Sequence, residues 1–323
     1  MRSVILVIGE GEDSQLRLVI ETLKARATPF VFVDVMDPKD FSISLNSTRP
    51  PSICFDGEAI RILAVWSRLK MQISLGDSLE RSDAFLRESE WMSFASGVSF
   101  LFEENSVHPI WGSKPYNKIS QLEIARRVGF RIPDTMIFIG KKAAQEFLSQ
   151  HVDVVVKAIY TPRVLHPTVP DETDALVTTI VGQSMVDDAK DGEFRVCPVK
   201  FQKCILAAEE LRVIAIGETF FAYRVVDPDC VQPMVDRRVM RPSYSRVELP
   251  EQIGEKLKAY MRASNLEYGA FDLLLDNGDT VFLECNPEGQ WHSANEINVR
   301  EVIETFSDHI TTLAQLSDSV GPL

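Results

Sequence analysis

AFDLLLDNGDTVFLECNPEGQW, residues 270–291, decides how this chain reads. Two apolar runs flank Asp276-Asn277-Gly278-Asp279, a turn composition that folds them into a β-hairpin. Asp272 falls on the first strand, Glu284 and Asn286 on the second. Side chains alternate between faces along a strand, so loop length decides whether the three converge. A two-residue Asn277-Gly278 loop puts Asp272 opposite Leu283 and sends Glu284 to the other face. A three-residue loop, Asp276–Gly278 or Asn277–Asp279, gathers Asp272, Glu284 and Asn286 on one face. Three-residue loops with a glycine bulge are common, and that is the expectation. Three oxygen side chains at a strand end suit Mg2+, which takes few protein oxygens and completes its shell with water and substrate phosphates. The competing reading is an exposed hairpin with solvated carboxylates. Phe271, Leu273, Leu275, Val281 and Phe282 make the strands too apolar for it, and a buried carboxylate without a partner is costly.

Working outward, 323 residues leave room for two or three folding units. A hydrophobic content of 45% with 25% charged residues is that of a soluble globular protein. The net charge of −13 argues against a nucleic-acid or anionic-membrane binder, which needs a basic footprint. MRSVILVIG at the N-terminus reads as a β-strand rather than a signal peptide. No apolar run approaches the ~20 residues of a membrane span. The five cysteines, Cys54, Cys197, Cys204, Cys230 and Cys285, are scattered and form no CxxC. They point to a reducing cytoplasm, without a disulfide framework or a zinc site. Cys285 is expected on the strand face opposite its acidic neighbours, as a core thiol.

Residues 4–8 and 31–35 read as strands around a helix striped by Leu16, Val19, Ile20 and Leu23, a β-α-β opening. GEGED at 9–13 is only a fragment of a dinucleotide fingerprint. Further strands are expected around 53–55 and 62–66, with a helix over 83–102. In NKISQLEIARRVG (117–129) Asn117 caps a helix, Gly129 ends it, and Ile119, Leu122, Ala125 and Val128 form its buried stripe. DVVVKAIY (153–160) is a strand with Lys157 embedded. Its neighbours make it interior, against the bland reading of an edge-strand guard. The polar stretch 161–194 reads as a mobile flap. Strands occupy 195–226, and helices 250–265 and 299–316.

Lys118, Lys157, FQKCI (201–205), Glu210, Arg212 and the acidic hairpin together supply what a nucleotide triphosphate needs: cations, a backbone hinge, an acid for the ribose and a metal site. Phosphoryl transfer asks mainly for positioning and charge stabilisation. Here the sequence resembles the ATP-grasp ligases, and within them is most similar to the graspetide (microviridin-type) peptide-macrocyclising ligases. The likeness covers nearly the whole chain. It is carried by AVWSRLK (64–70), NKISQLEIARRVG (117–129), VCPVKFQKCI (196–205), EELRVIAIGETFF (209–221), MVDRR (234–238) and YGAFDLLL…FLECNPEGQW (268–291).

The resemblance implies an α/β (α+β) ATP-grasp fold with an N-terminal α/β domain (1–115), a central lid domain (116–198) and a C-terminal ATP- and Mg2+-binding domain (199–323). It implies that Lys118 and Lys157 contact ATP phosphates, and that Gln202, Lys203 and Ile205 form the adenine hinge. Glu210 would bind the ribose and Phe282 would pack on adenine, while Asp272, Glu284 and Asn286 hold Mg2+. Arg212 would brace the γ-phosphate, against the bland reading of an ion pair with Glu209 or Asp227. Arg238, beside Asp236, would face the substrate. Lys203 stands where the family often has an acid, and WSRLK is less basic than its counterpart. The implied partner is a ribosomal precursor peptide, leader plus core, with no nucleic acid and no membrane; a homodimer is the default expectation. Two rival functions are a ligase joining a free amino acid or small amine to a carboxylate, and a nucleotide-binding scaffold without chemistry.

Overall fold

A computed structural model describes residues 1–69, 81–107, 114–159, 163–165, 173–175, 178–206, 209–226, 243–291 and 296–320. The chain opens with β1 (Arg2–Gly9), α1 (Ser14–Ala25), β2 (Phe30–Asp34), β3 (Phe41–Ser44), β4 (Ser52–Phe55), β5 (Glu58–Arg68) and α2 (Arg81–Leu101). They build a sheet of order β2-β1-β5-β4-β3 in which β1 runs parallel to both neighbours. Alternation along β1 feeds two cores: Ile5 and Val7 pack on the α1 side, Val4, Leu6 and Ile8 on the other. GEGED is the turn into α1. Asp13 caps the helix, its Oδ1 accepting from the N–H groups of Gln15 (2.9 Å) and Leu16 (3.0 Å).

The middle of the chain supplies α3 (Lys118–Arg127), β6 (Thr135–Phe138), α4 (Lys141–Gln150), β7 (Val154–Lys157), β8 (Arg163–Leu165), β9 (Thr173–Ala175), β10 (Thr179–Val181), α5 (Gln183–Asp188) and β11 (Val199–Lys203). The central sheet is antiparallel, of order β10-β7-β11-β6, and β8 pairs with β9 separately. Val154, Val156, Phe138 and Phe201 on one face pack with Ala144 and Phe147 of α4. The described part of 161–194 is therefore strand and helix, not only the expected flap. Two elements also sit differently from the 116–198 division. β11 belongs to the central sheet although it begins at 199. Helix α3 packs on the third sheet rather than on the central one.

That third sheet is built from β12 (Glu209–Ile216), β13 (Thr219–Val226), β14 (Ser243–Val247), β15 (Tyr268–Asp276) and β16 (Asp279–Asn286). Helix α6 (Glu251–Ser264) precedes β15, and α7 (Glu296–Val320) ends the described chain. Its strands are antiparallel, in the order β14-β13-β12-β15-β16. One face carries Leu211, Val213, Phe271, Leu273, Phe282 and Cys285 against α6 and α3. The other carries Ile214, Ile216, Phe221, Tyr268 and Ala270, in one core with Trp66, Trp291, Val302, Phe306 and Ile310. Through this core α7 joins the first and third sheets.

Asn117 and Gly129 (φ +91°) bound α3 as expected. The buried stripe is rotated: Gln121, Leu122, Ile124 and Ala125 are inside, while Ile119 is 44% exposed. Among the described residues no helix is long and apolar enough to cross a membrane.

Candidate active site

The hairpin gathers its acids by a different device from the expected one. Asp276 pairs with Asp279, so the loop is the two residues Asn277 (φ +52°) and Gly278 (φ +86°). Positive φ at both positions is what a type I′ turn requires. A two-residue loop alone would put Asp272 opposite Leu283. The register instead shifts between Asp272 and Leu273: Leu273 pairs with Phe282 and Asp272 with Glu284, leaving Leu283 as an extra residue. This β-bulge restores the convergence that the three-residue loop was invoked to explain. It also corrects the expectation for Phe282. That ring lies on the face opposite the acids, wholly buried against Tyr260 (5.2 Å between centroids) and Phe130 (5.9 Å). It is core and has no face to offer adenine.

A single cross-strand row then runs over the whole sheet: Arg246, Tyr223, Arg212, Asp272 and Glu284 are successive partners on β14, β13, β12, β15 and β16. Arg212 Nη1 donates to Asp272 Oδ1 at 2.7 Å, with side-chain exposures of only 12% and 8%. Of the expected alternatives, Glu209 pairs instead with Arg224, and Asp227 lies outside the described residues. Glu210 lies two residues before Arg212 on the same face. Arg246 stacks over Phe221 and Tyr223, 4.7 and 5.5 Å from their centroids. Asn286 is two residues beyond Glu284, at the start of the NPEGQ turn, where its Oδ1 accepts from Glu288 N–H (3.0 Å). A Cβ at Gly289 would meet Ala270 Cβ at 2.3 Å and Arg212 Nη2 at 3.0 Å, so only glycine lets this turn close beside the arginine.

Lys118 reaches the hairpin because α3 is tied to it. Gln121 donates through Nε2 to the Cys285 carbonyl (2.7 Å) and accepts at Oε1 from the Cys285 N–H (3.2 Å), occupying the backbone of β16 as a neighbouring strand would. Lys118 Nζ then lies 3.2 Å from Glu284 Oε2. Burial pushes the Glu284 carboxyl up, and Asp272 adds to that. Lys118 and Lys157 outweigh both, and the net direction is down.

Lys157 ends β7 on the face of the central sheet turned away from α4. Its cross-strand partner is Lys200 on β11, only 4% exposed. Sequence reasoning passed over Lys200. Its signal was the spacing Lys200-x-Gln202, legible only once β11 is paired with β7. Gln202 is buried and donates from Nε2 to Thr135 Oγ1 (3.0 Å). Lys203 and Cys204 spend their backbone N–H groups on the carbonyls of Asp134 (2.8 Å) and Asp153 (2.7 Å). Ile205, the last of the expected hinge residues, is half-buried. Arg238, with the MVDRR segment, lies outside the described residues.

A second cluster joins the first sheet to the NPEGQW turn. Arg68 at the end of β5 donates from Nε to Asp13 Oδ1 (3.0 Å) and from Nη1 to the Glu288 carbonyl (3.0 Å). Tyr116 donates to Glu288 Oε1 (3.1 Å), Tyr268 to the Gly289 carbonyl, and Trp291 N–H to Gln15 Oε1 (2.9 Å). The AVWSRLK and NPEGQW segments thus meet in space.

As a metal site, Asp272, Glu284 and Asn286 offer two carboxylates and an amide oxygen on one face, an all-oxygen set suited to a hard divalent cation. Glu284 is held ionised and its side chain is 42% exposed, so it is reachable. Among the described residues no group of three or more His, Cys, Asp or Glu is gathered to hold a metal. The hairpin set fits because its third member is an amide.

No family model and no curated protein matches the chain. Solved structures do. A RiPP-associated ATP-grasp ligase of Chryseobacterium gregarium, in complex with ADP and a leader and core peptide, is similar at a TM-score of 0.78 and 20% identity, over 97% of each chain. The macrocyclase MdnC of Microcystis aeruginosa MRC, bound with precursor peptide MdnA, is similar at 0.75 and 21%, over 96% of this chain and 99% of that one. The ATP-grasp ligase PsnB, complexed with minimal precursor, Mg and ADP, gives 0.71 and 19%, over 96% and 98%. Over nearly its whole length the chain has the ATP-grasp fold.

Proposed function

We propose that this protein is an ATP- and Mg2+-dependent ligase that activates Asp or Glu side chains of a ribosomal precursor peptide and closes them into intramolecular esters or amides. The observation that carries this reading is the row Arg212–Asp272–Glu284, with Lys118 at its end and the paired lysines of the central sheet nearby. It combines the acids of a metal site with the cations of a phosphate site. The fold-wide likeness to ligases crystallised with ADP and with precursor peptides supports the same reading.

In this mechanism Lys118 and Lys157 hold phosphate oxygens of ATP, Glu210 its ribose, and the Gln202–Ile205 hinge its adenine, Ile205 through its backbone. Asp272, Glu284 and Asn286 would hold Mg2+, which neutralises charge on the β- and γ-phosphates. A substrate carboxylate oxygen bonds to the γ-phosphorus as the β–γ bridge breaks and ADP leaves. Arg212, fixed by Asp272, stabilises the charge on the transferring phosphoryl group and then on the acyl phosphate. A Ser/Thr hydroxyl or Lys amine of the same peptide attacks the acyl carbon. Phosphate departs, the nucleophile's proton passes to solvent, and the peptide is one water lighter per ring. Arg238 would face the acidic side chain.

Intact mass of candidate precursor peptides bearing Asp or Glu with Ser, Thr or Lys, after incubation with protein, ATP and Mg2+, tests the proposal. Loss of one or more waters with ADP formation is expected. An unchanged peptide, with ADP released on adding free amino acids, would replace this reading with the small-molecule ligase. No turnover under either condition would leave a scaffold.

A further inference from the structure

Lys200 is a buried cation that the roles above do not use. It sits in the middle of β11, facing away from the α4 core, with Lys157 as its direct partner on β7. Among the described residues its ammonium has no hydrogen bond and no carboxylate within ion-pair distance. Burial first, then Lys118 and Lys157, drives its ammonium down to about 7, and Glu284 alone opposes them. Like charges directly opposite each other destabilise a strand pair, and a desolvated amine adds its own cost. A valine here would serve the sheet better. What offsets such a cost is an anion that arrives between Lys157, Lys200 and Lys118.

We infer that Lys200 contacts the phosphates of the bound nucleotide, as the third lysine of a set with Lys157 and Lys118. The inference rests on the nucleotide-ligase reading and deepens it. The other charged groups facing Lys200 are Lys157 from β7, Lys118 from α3 and Glu284 from β16. A phosphate bonded to Lys157 and Lys200, within reach of Lys118, would answer the like charges that face each other across β7 and β11.

The test is calorimetric binding of AMP, ADP and ATP with Mg2+ to the full-length protein and to Lys200→Met, Lys200→Gln and Lys200→Arg. A lost charge-assisted hydrogen bond corresponds to roughly 10- to 100-fold in affinity. Lys200→Met and Lys200→Gln should weaken ADP and ATP by that factor, leave AMP within about 3-fold, and melt no lower than wild type. Lys200→Arg should recover much of the loss. ADP and ATP binding unchanged in folded Lys200→Met or Lys200→Gln would overturn the inference and leave Lys200 as a core lysine. Equal weakening of AMP, ADP and ATP would overturn it too, because the defect would then be distortion of the hinge. Wild-type protein that binds none of the three would sink both this inference and the proposed function.

Discussion

The two sheets that contribute the candidate site handle buried charge in opposite ways. On the third sheet each charge along the row is answered: Arg212 by Asp272, Glu284 by Lys118, and at the sheet's end Arg246 by Glu301. On the central sheet Lys157 and Lys200 face each other as like charges, with no ion-pair partner among the described residues. The third sheet is therefore organised by folding alone. The central sheet sets two cations directly opposite each other, an imbalance that the inferred phosphate contact would relieve. A protein selected only for stability would not bury two lysines side by side; a lid that must grip an anion gains from doing so.

Breaking the third sheet's acids should have the largest effect. Asp272→Asn or Glu284→Gln should lower peptide-dependent ADP release by on the order of a thousandfold or more, because charge stabilisation of the transferring group is lost. A scaffold would lose only nucleotide affinity, so turnover and binding measured side by side separate the two.

Arg212→Met comes next. It removes the cation from the buried pair with Asp272, at a cost of about 3–5 kcal/mol in urea unfolding. Arg212→Met with Asp272→Asn should regain part of that stability and none of the activity. If the single variant is as stable as wild type, the pair is not the structural tie described here.

Lys200→Met sharpens the contrast by its sign. The unfolded amine has the ordinary lysine value of 10.5, and burial brings the folded one down to about 7. Between these values the unfolded state binds more protons, so the penalty is full below pH 7 and fades as pH rises toward 10.5. Removing the amine should stabilise the nucleotide-free protein by on the order of 2–4 kcal/mol at pH 7 and by little at pH 10.5. Loss of stability at pH 7 would mean that the central sheet balances its charges after all.

Gln121→Ala should cost about 1–3 kcal/mol by leaving both polar groups of Cys285 without their side-chain partner. It should also loosen Lys118 from Glu284, read as weaker ATP binding. Smallest is Asn277→Ala, about 1 kcal/mol for alanine at φ +52°, with activity unchanged.

Much of the site was legible from residue types. The acids of the hairpin, the Asn117 cap, the Gly129 stop and the β-α-β opening all follow from local composition and period. The hairpin also shows where local reasoning ends. The aim, three oxygens on one face, was right. The means was wrong, because a bulge at Leu283 depends on what lies on either side of β16: Leu273 and α6 on one face, α3 through Gln121 at its edge. The same bulge turned Phe282 into core. Ile119 was misplaced in a buried stripe because only the docking of α3 on the third sheet tells which face of that helix meets apolar surface.

By itself, then, the sequence determined the β-α-β opening, the helix capped by Asn117 and the oxygen-rich hairpin, since these depend on neighbours within a few residues. The tertiary structure decided which charges are paired and which face a like charge. Arg212 could have met Glu209 and meets Asp272; Lys200 could have been a surface residue and lies buried opposite Lys157. Those outcomes depend on strand register and on the docking of one sheet beside another, which bring together groups that no local pattern connects.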